Sequence, residues 1–126
     1  MKIKTNELIG AQLDWAVAKC EGIKVQYQPG FITYSEIQVL SDWDDALEYS
    51  PSTDWTQGGP IIEHEQIDTS HVNNDWQVWH AATNGKTRTD GRKVRRVAGG
   101  PTPLIAAMRC YVASKLGDEV EVPNGN

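Results

Sequence analysis

Apolar residues along 6–20 return at the spacing of a helix. Ile9, Leu13, Ala16, Val17 and Cys20 fall on one stripe, and Leu8, Ala11, Trp15 and Ala18 widen it. Thr5 or Asn6 can accept from the first unpaired amides, Glu7 suits the positive end, and Gly22 follows as a stop. So broad a stripe predicts a helix covered over much of its circumference. Asp14 shares the remaining face with Glu7 and Glu21 and is expected to be solvated. A second helical pattern lies near the C-terminal end. Thr102 caps it, Pro103 sits in its first turn, Leu104, Ile105, Met108, Tyr111, Val112 and Leu116 form the buried stripe, and Gly117 ends it. Arg109 lies on the border of that stripe, from where it could reach into a cleft.

Between the helices the period shortens to two. Ile23, Val25 and Tyr27 alternate with Lys24 and Gln26 as a half-buried strand, with Pro29-Gly30 as its turn. From Phe31 to Leu47 the pattern is weak, and Phe31 to Val39 could be a strand or a brief helix. Ile67, Val72, Trp76, Val78 and His80 predict an antiparallel hairpin around Asn73-Asn74-Asp75, and Asn84-Gly85 and Asp90-Gly91 mark further hairpin turns. In the stretch 49–63, Ser52 or Thr53 can cap a one- or two-turn helix closed by Gly58, and Pro60 can begin another short helix that carries Ile61 and Ile62 into the core. The expected fold is α+β: a single small domain over 1–122, with N- and C-terminal helices packed on a short antiparallel sheet, short helices around residues 52–65, and a flexible tail at 123–126.

Composition narrows the function. A chain of 126 residues can bury a core without metals or disulfides, and a net charge of −5 argues against nucleic-acid binding by the whole surface. Cys20 and Cys110 are read as reduced core thiols, which implies a cytoplasmic protein. No signal peptide or membrane span is expected. Four of the five tryptophans follow an aspartate, at Asp14-Trp15, Asp42-Trp43, Asp54-Trp55 and Asp75-Trp76. A carboxylate beside an indole favours a boundary, where the charge stays wet and the ring hides.

Candidate chemistry gathers in three places. The turn carrying Ser52, Thr53, Asp54, Trp55, Gly58 and Gly59 crowds hydroxyls, a carboxylate, an indole and bare glycines, and could cradle a small polar ligand with Trp55 stacking on it. The plainer alternative is a capped connector whose Trp55 plugs the core. Gly99-Gly100 before Thr102 could hold an anion at the helix start, although capping is the simpler role for Thr102 and a salt bridge the simpler one for Arg109. Arg88, Arg92, Lys93, Arg95 and Arg96 could grip phosphate or nucleic acid, although edge protection, or pairing with the acidic cluster Asp42, Asp44, Asp45 and Glu48, is the simpler account. That acidic cluster lacks the calcium-loop spacing, and the three histidines lack a zinc spacing, so no metal and no cofactor is expected. Glu63-His64-Glu65 is a poor acid–base cluster because adjacent side chains diverge, and the cysteines sit among apolar neighbours that disfavour a thiolate, so an enzyme is not favoured.

The opening Met1 to Leu8 with Gly10 to Gly22, the central Tyr49 to Trp55 with Gly58 to Glu63, and the closing Pro101 to Gly117 resemble, in order, the phage NinX-type family of small proteins. The resemblance implies a bacteriophage or prophage accessory protein working in the cytoplasm of the infected host, and it supplies no reaction. The resulting expectation is a non-enzymatic binding module for a small polar, nucleotide-like ligand, seated between the Ser52 to Gly59 turn and the last helix with Arg109 supplying charge. One alternative is docking on a host or phage protein through exposed Trp43, Trp76 or Trp79. A third is nucleic-acid contact through the basic hairpin 86–96.

Overall fold

The computed structural model describes residues 1–28, 31–34, 48–71, 79–83, 86–87, 93–94 and 97–123, with the backbone alone for 28, 34, 71, 79–83, 86–87 and 93–94. In chain order these form β1 (Lys2–Lys4), a 3-10 turn (Thr5–Glu7), α1 (Gly10–Glu21), β2 (Val25–Gln28), β3 (Phe31–Tyr34), α2 (Trp55–Glu65), β4 (Ile67–His71) and β5 (Trp79–Thr83). There follow β6 (Lys86–Thr87), β7 (Lys93–Val94), β8 (Val97–Gly100), α3 (Pro103–Leu116) and β9 (Glu119–Glu121). The class is α+β, as the patterns predicted.

Helix α3 is the centre of the molecule. Leu104 through Val112 are buried without a break, so the helix is enclosed on every side and not on one stripe. The sheet β4-β5-β8 covers one side, and α1, α2, the 3-10 turn and β9 take others. Thr102 Oγ1 accepts from the Ile105 amide at 3.0 Å, Pro103 fills the first position, and Gly117 ends the helix at φ 90°. Ala106 and Ala107 let β8 come close: a Cβ on Gly100 would stand 2.9 Å from the Ala106 nitrogen. The helix start is thereby closed by its own chain, so Thr102 acts as a cap and Gly99-Gly100 as the close-packed end of β8.

Strands β4 and β5 pair antiparallel as expected, with His71 opposite Trp79, while Val72, Trp76, Val78 and the expected turns at Asn73-Asn74-Asp75, Asn84-Gly85 and Asp90-Gly91 lie outside the described residues. Strand β8 pairs with β5, and the β6–β7 ladder lies in the stretch between these two partners. The pairs Lys2–Glu121, Ile3–Val120 and Lys4–Glu119 join β1 to β9, setting opposite charges across from each other around one apolar pair. This ladder was not predicted, because three-residue strands at the two ends of a chain leave no periodicity to read. Val25–Gln28 is a strand as the alternation suggested, and it pairs with Phe31–Tyr34, which settles those four residues as strand and not helix; the Pro29-Gly30 turn lies outside the described residues, and α1 packs on both strands and on α3.

Two helix boundaries differ from expectation. α1 begins at Gly10 without a side-chain cap, because the Thr5 hydroxyl instead donates to the Gly117 carbonyl at 2.6 Å and ties the first turn to the end of α3. The expected stop at Gly22 is present, with φ 71°. The segment 52–65 holds one helix, α2, and not two short ones. Asp54 caps it, accepting from the Thr56 amide at 3.0 Å and the Thr56 hydroxyl at 2.6 Å. Gln57 donates to the other Asp54 oxygen at 3.0 Å and accepts from the Ser50 amide at 2.9 Å, which ties the first turn to the loop before it. Pro60 removes one amide, but the carbonyl that loses its partner belongs to exposed Thr56 and can bond water. The left-handed residue that closes the helix is Gln66, at φ 55°, and not Gly58.

Candidate functional site

The Arg109 side chain is only 7% exposed. Its Nε donates to the Leu8 carbonyl at 2.7 Å and its Nη1 to the Gly99 carbonyl at 2.9 Å, so α3, the first turn and β8 are tied together at one guanidinium. No ion pair joins it to a carboxylate among the described residues. Burial lowers its pKa, yet a guanidinium stays protonated, so the fold carries a buried positive charge whose partners among the described residues are carbonyl dipoles. Two of its five N–H donors are engaged by described residues.

Arg109 borders a cavity of about 230 Å³ lined also by Lys4, Thr5, Asn6, Val97, Ala98, Ala113, Asp118 and Glu119. Arg109, with Thr5 and Ala98, forms the buried part of its lining, and Lys4, Asn6, Asp118 and Glu119 are exposed. The walls are held in place: the Thr5 amide donates to the Asp118 carbonyl at 2.8 Å, and the β1–β9 ladder sets Lys4 opposite Glu119. Sequence reasoning singled out Arg109 and missed the rest of the lining. One available signal was the absence of any acid three or four residues away, since Ile105, Ala106, Val112 and Ala113 occupy those positions. A cation so placed has to find its counter-charge from elsewhere in the fold or from a ligand.

The other expected site residues lie apart from this cavity, whose lining includes none of 52–59. Gly58 packs directly on α3, away from the cavity: a Cβ there would come within 2.6 Å of Leu104 Cδ1 and collide with the Pro51 carbonyl. Asp54 is consumed by capping, and its hydrogen bonds from Thr56 and Gln57 hold its carboxyl below the usual range. Thr53 is exposed, Gly59 half-buried, and Trp55 stands 55% exposed at the first position of α2, so it does not plug the core. Of the basic set, Arg88, Arg92, Arg95 and Arg96 lie outside the described residues, and Lys93 is described by backbone alone, paired with Thr87. Trp43, Trp76 and the acidic residues Asp42, Asp44 and Asp45 also lie outside them.

Asp14 overturns the expectation of a solvated carboxylate. It is 5% exposed, and its Oδ1 accepts from the Ser52 amide at 2.8 Å. Loop 50–54 covers the face of α1 that the sequence alone left open. Desolvation is the largest influence on this carboxyl, opposed by the Ser52 contacts and reinforced by the charge of Glu48, and together they raise its pKa from 3.8 to about 6. The fully buried Ser52 hydroxyl lies close enough to favour the ionised carboxylate, but not in a geometry that makes a hydrogen bond; the amide contact is the bond that holds.

Elsewhere, buried Glu65 meets His64 Nδ1 at 2.7 Å and Lys115 Nζ at 3.6 Å. The adjacent His64 and Glu65 thus touch, contrary to the expected divergence, although His64 is largely in solvent. Burial pushes the Cys20 thiol up to about 12, in keeping with an inert thiol. No group of three or more His, Cys, Asp or Glu among the described residues is placed to hold a metal ion.

A family model described as Bacteriophage P22, NinX matches residues 4–115. The chain belongs to that family. No curated protein matches it. The NinX match covers both helical ends and the central segment that carried the resemblance, and it spans Arg109 and Asp14. Asp118 and Glu119 of the cavity lie past its end. NinX membership makes this a phage accessory protein, and no helix among the described residues is long and apolar enough to cross a membrane.

Proposed function

We propose that this phage accessory protein is a non-enzymatic binding module acting in the cytoplasm of the infected host, and that its ligand is a small polar molecule with an anionic group seated on Arg109. The supporting observation is the buried guanidinium, without an ion-pair partner among the described residues, in the lining of a cavity of about 230 Å³. A carboxylate or phosphate oxygen there would accept from the guanidinium and neutralise a charge whose burial is otherwise costly. The volume falls below the roughly 300–1,000 Å³ of pockets for drug-sized ligands, so the ligand is smaller than a whole nucleotide.

A thermal-shift screen of anionic metabolites tests this. A ligand at about a hundred times its Kd should stabilise the fold by about 3 kcal/mol and raise Tm by roughly 10 °C. Ala113→Leu, which fills the cavity from a good helix-forming position without touching the Arg109 bonds, should fold normally and lose that shift. A screen with no shift at saturating concentrations overturns the proposal.

A second reading rests on Trp55, whose exposed indole at the start of α2 is the kind of side chain that anchors interfaces. On this reading Trp55→Ala would abolish stoichiometric capture of one phage or host protein from infected cells while leaving Tm within about 2 °C. Equal capture by both forms removes it.

A further inference from the structure

Resting on that binding proposal, we infer that the ligand of the Arg109 cavity is a zwitterion, a small α-amino acid whose carboxylate sits on the guanidinium and whose ammonium faces Glu119 and Asp118. The charges lining the cavity are balanced and differ in burial. One cation, Arg109, is buried, while Lys4, Asp118 and Glu119 are exposed.

A simple anion such as phosphate would gain Arg109 but lie near Asp118 and Glu119, of which Lys4, set opposite Glu119 on the ladder, offsets only one. A simple cation would gain the carboxylates and meet a buried guanidinium that it cannot neutralise. A molecule carrying both charges a few bonds apart, on substituents of one carbon, satisfies the two ends together. Val97, Ala98 and Ala113 supply aliphatic wall between them, suited to a short side chain and offering it no hydrogen-bond partner. The frame is rigid enough to discriminate, because Arg109 is held by two backbone carbonyls and the Glu119 strand is laddered to β1.

The test is titration calorimetry of the full chain with individual proteinogenic amino acids, each matched to its deaminated carboxylate and its decarboxylated amine, with inorganic phosphate alongside. The expected result is binding of at least one small aliphatic amino acid, with both matched analogues weaker by about tenfold or more. Glu119→Gln should weaken the amino acid severalfold and leave the deaminated carboxylate unchanged, a split that a merely structural Glu119 would not produce. If the carboxylate or phosphate binds as tightly as the amino acid, the zwitterion inference fails while the anion proposal stands. If no amino acid, carboxylate or phosphate binds, and Ala113→Leu alters nothing, both fail.

Discussion

Gly58→Ala should destabilise the protein by about 3 kcal/mol and lower Tm by roughly 10 °C, while Gly59→Ala, one residue on, should stabilise it by about 0.5–1 kcal/mol. Both glycines lie inside α2, where alanine is the better helix former. At Gly59 nothing opposes that preference, since the nearest atom to an added Cβ is Trp55 Cε3 at 3.9 Å. At Gly58 the added methyl meets Leu104 Cδ1 at 2.6 Å and the Pro51 carbonyl more closely still. Leu104 is itself buried and cannot swing away, and Pro51 is backbone, so α2 has to move off α3. Chemical denaturation of the two variants checks this, and equal signs for the two substitutions would show that α2 does not pack on α3 through Gly58.

The second large effect depends on pH. The Asp14 carboxyl has a raised pKa in the fold, about 6 against an ordinary 3.8, so between those values the folded protein binds a proton that the unfolded chain has released. Its contribution to stability is therefore greatest at low pH, is lost as pH rises through that window, and stays lost above it, by about 3 kcal/mol in all. Asp14→Asn keeps an oxygen for the Ser52 amide and removes the charge. Relative to the natural chain it should gain about 2–3 kcal/mol between roughly pH 4 and pH 7.5 in denaturation experiments. The comparison has to be made against the parent at each pH, because the Asp54 carboxyl, lowered by its capping bonds, works in the opposite direction and weakens the fold as pH falls. A difference that is the same at both ends of the range would mean that Asp14 is hydrated.

Much of the fold was legible where the signal is local. Thr102-Pro103 and Gly117 bound α3, Gly22 ends α1, and alternation marks β2, because capping, proline geometry and period-two burial act over a few residues. The central helix was cut at Gly58 because glycine there looked like a left-handed stop. It is a glycine for another reason, the approach of Leu104 from a helix more than forty residues away in sequence. Asp14 was misplaced on the same ground: its own helix left that face polar, and the loop at Ser52 covers it. At the candidate site, Arg109 was visible as a cation among apolar residues, while Lys4, Val97, Ala98 and Glu119 became its neighbours only through the β1–β9 ladder and the crossing of β8 over α3.

By itself, then, the chain determined its α+β class, the ends of its last helix and its membership of a phage family, all of which are written in short stretches of residues. Which charges are buried, which glycines cannot change and what stands beside Arg109 were decided by tertiary structure. The physical reason is that desolvation and close packing depend on atoms brought from distant parts of the chain, and no local pattern encodes that distance.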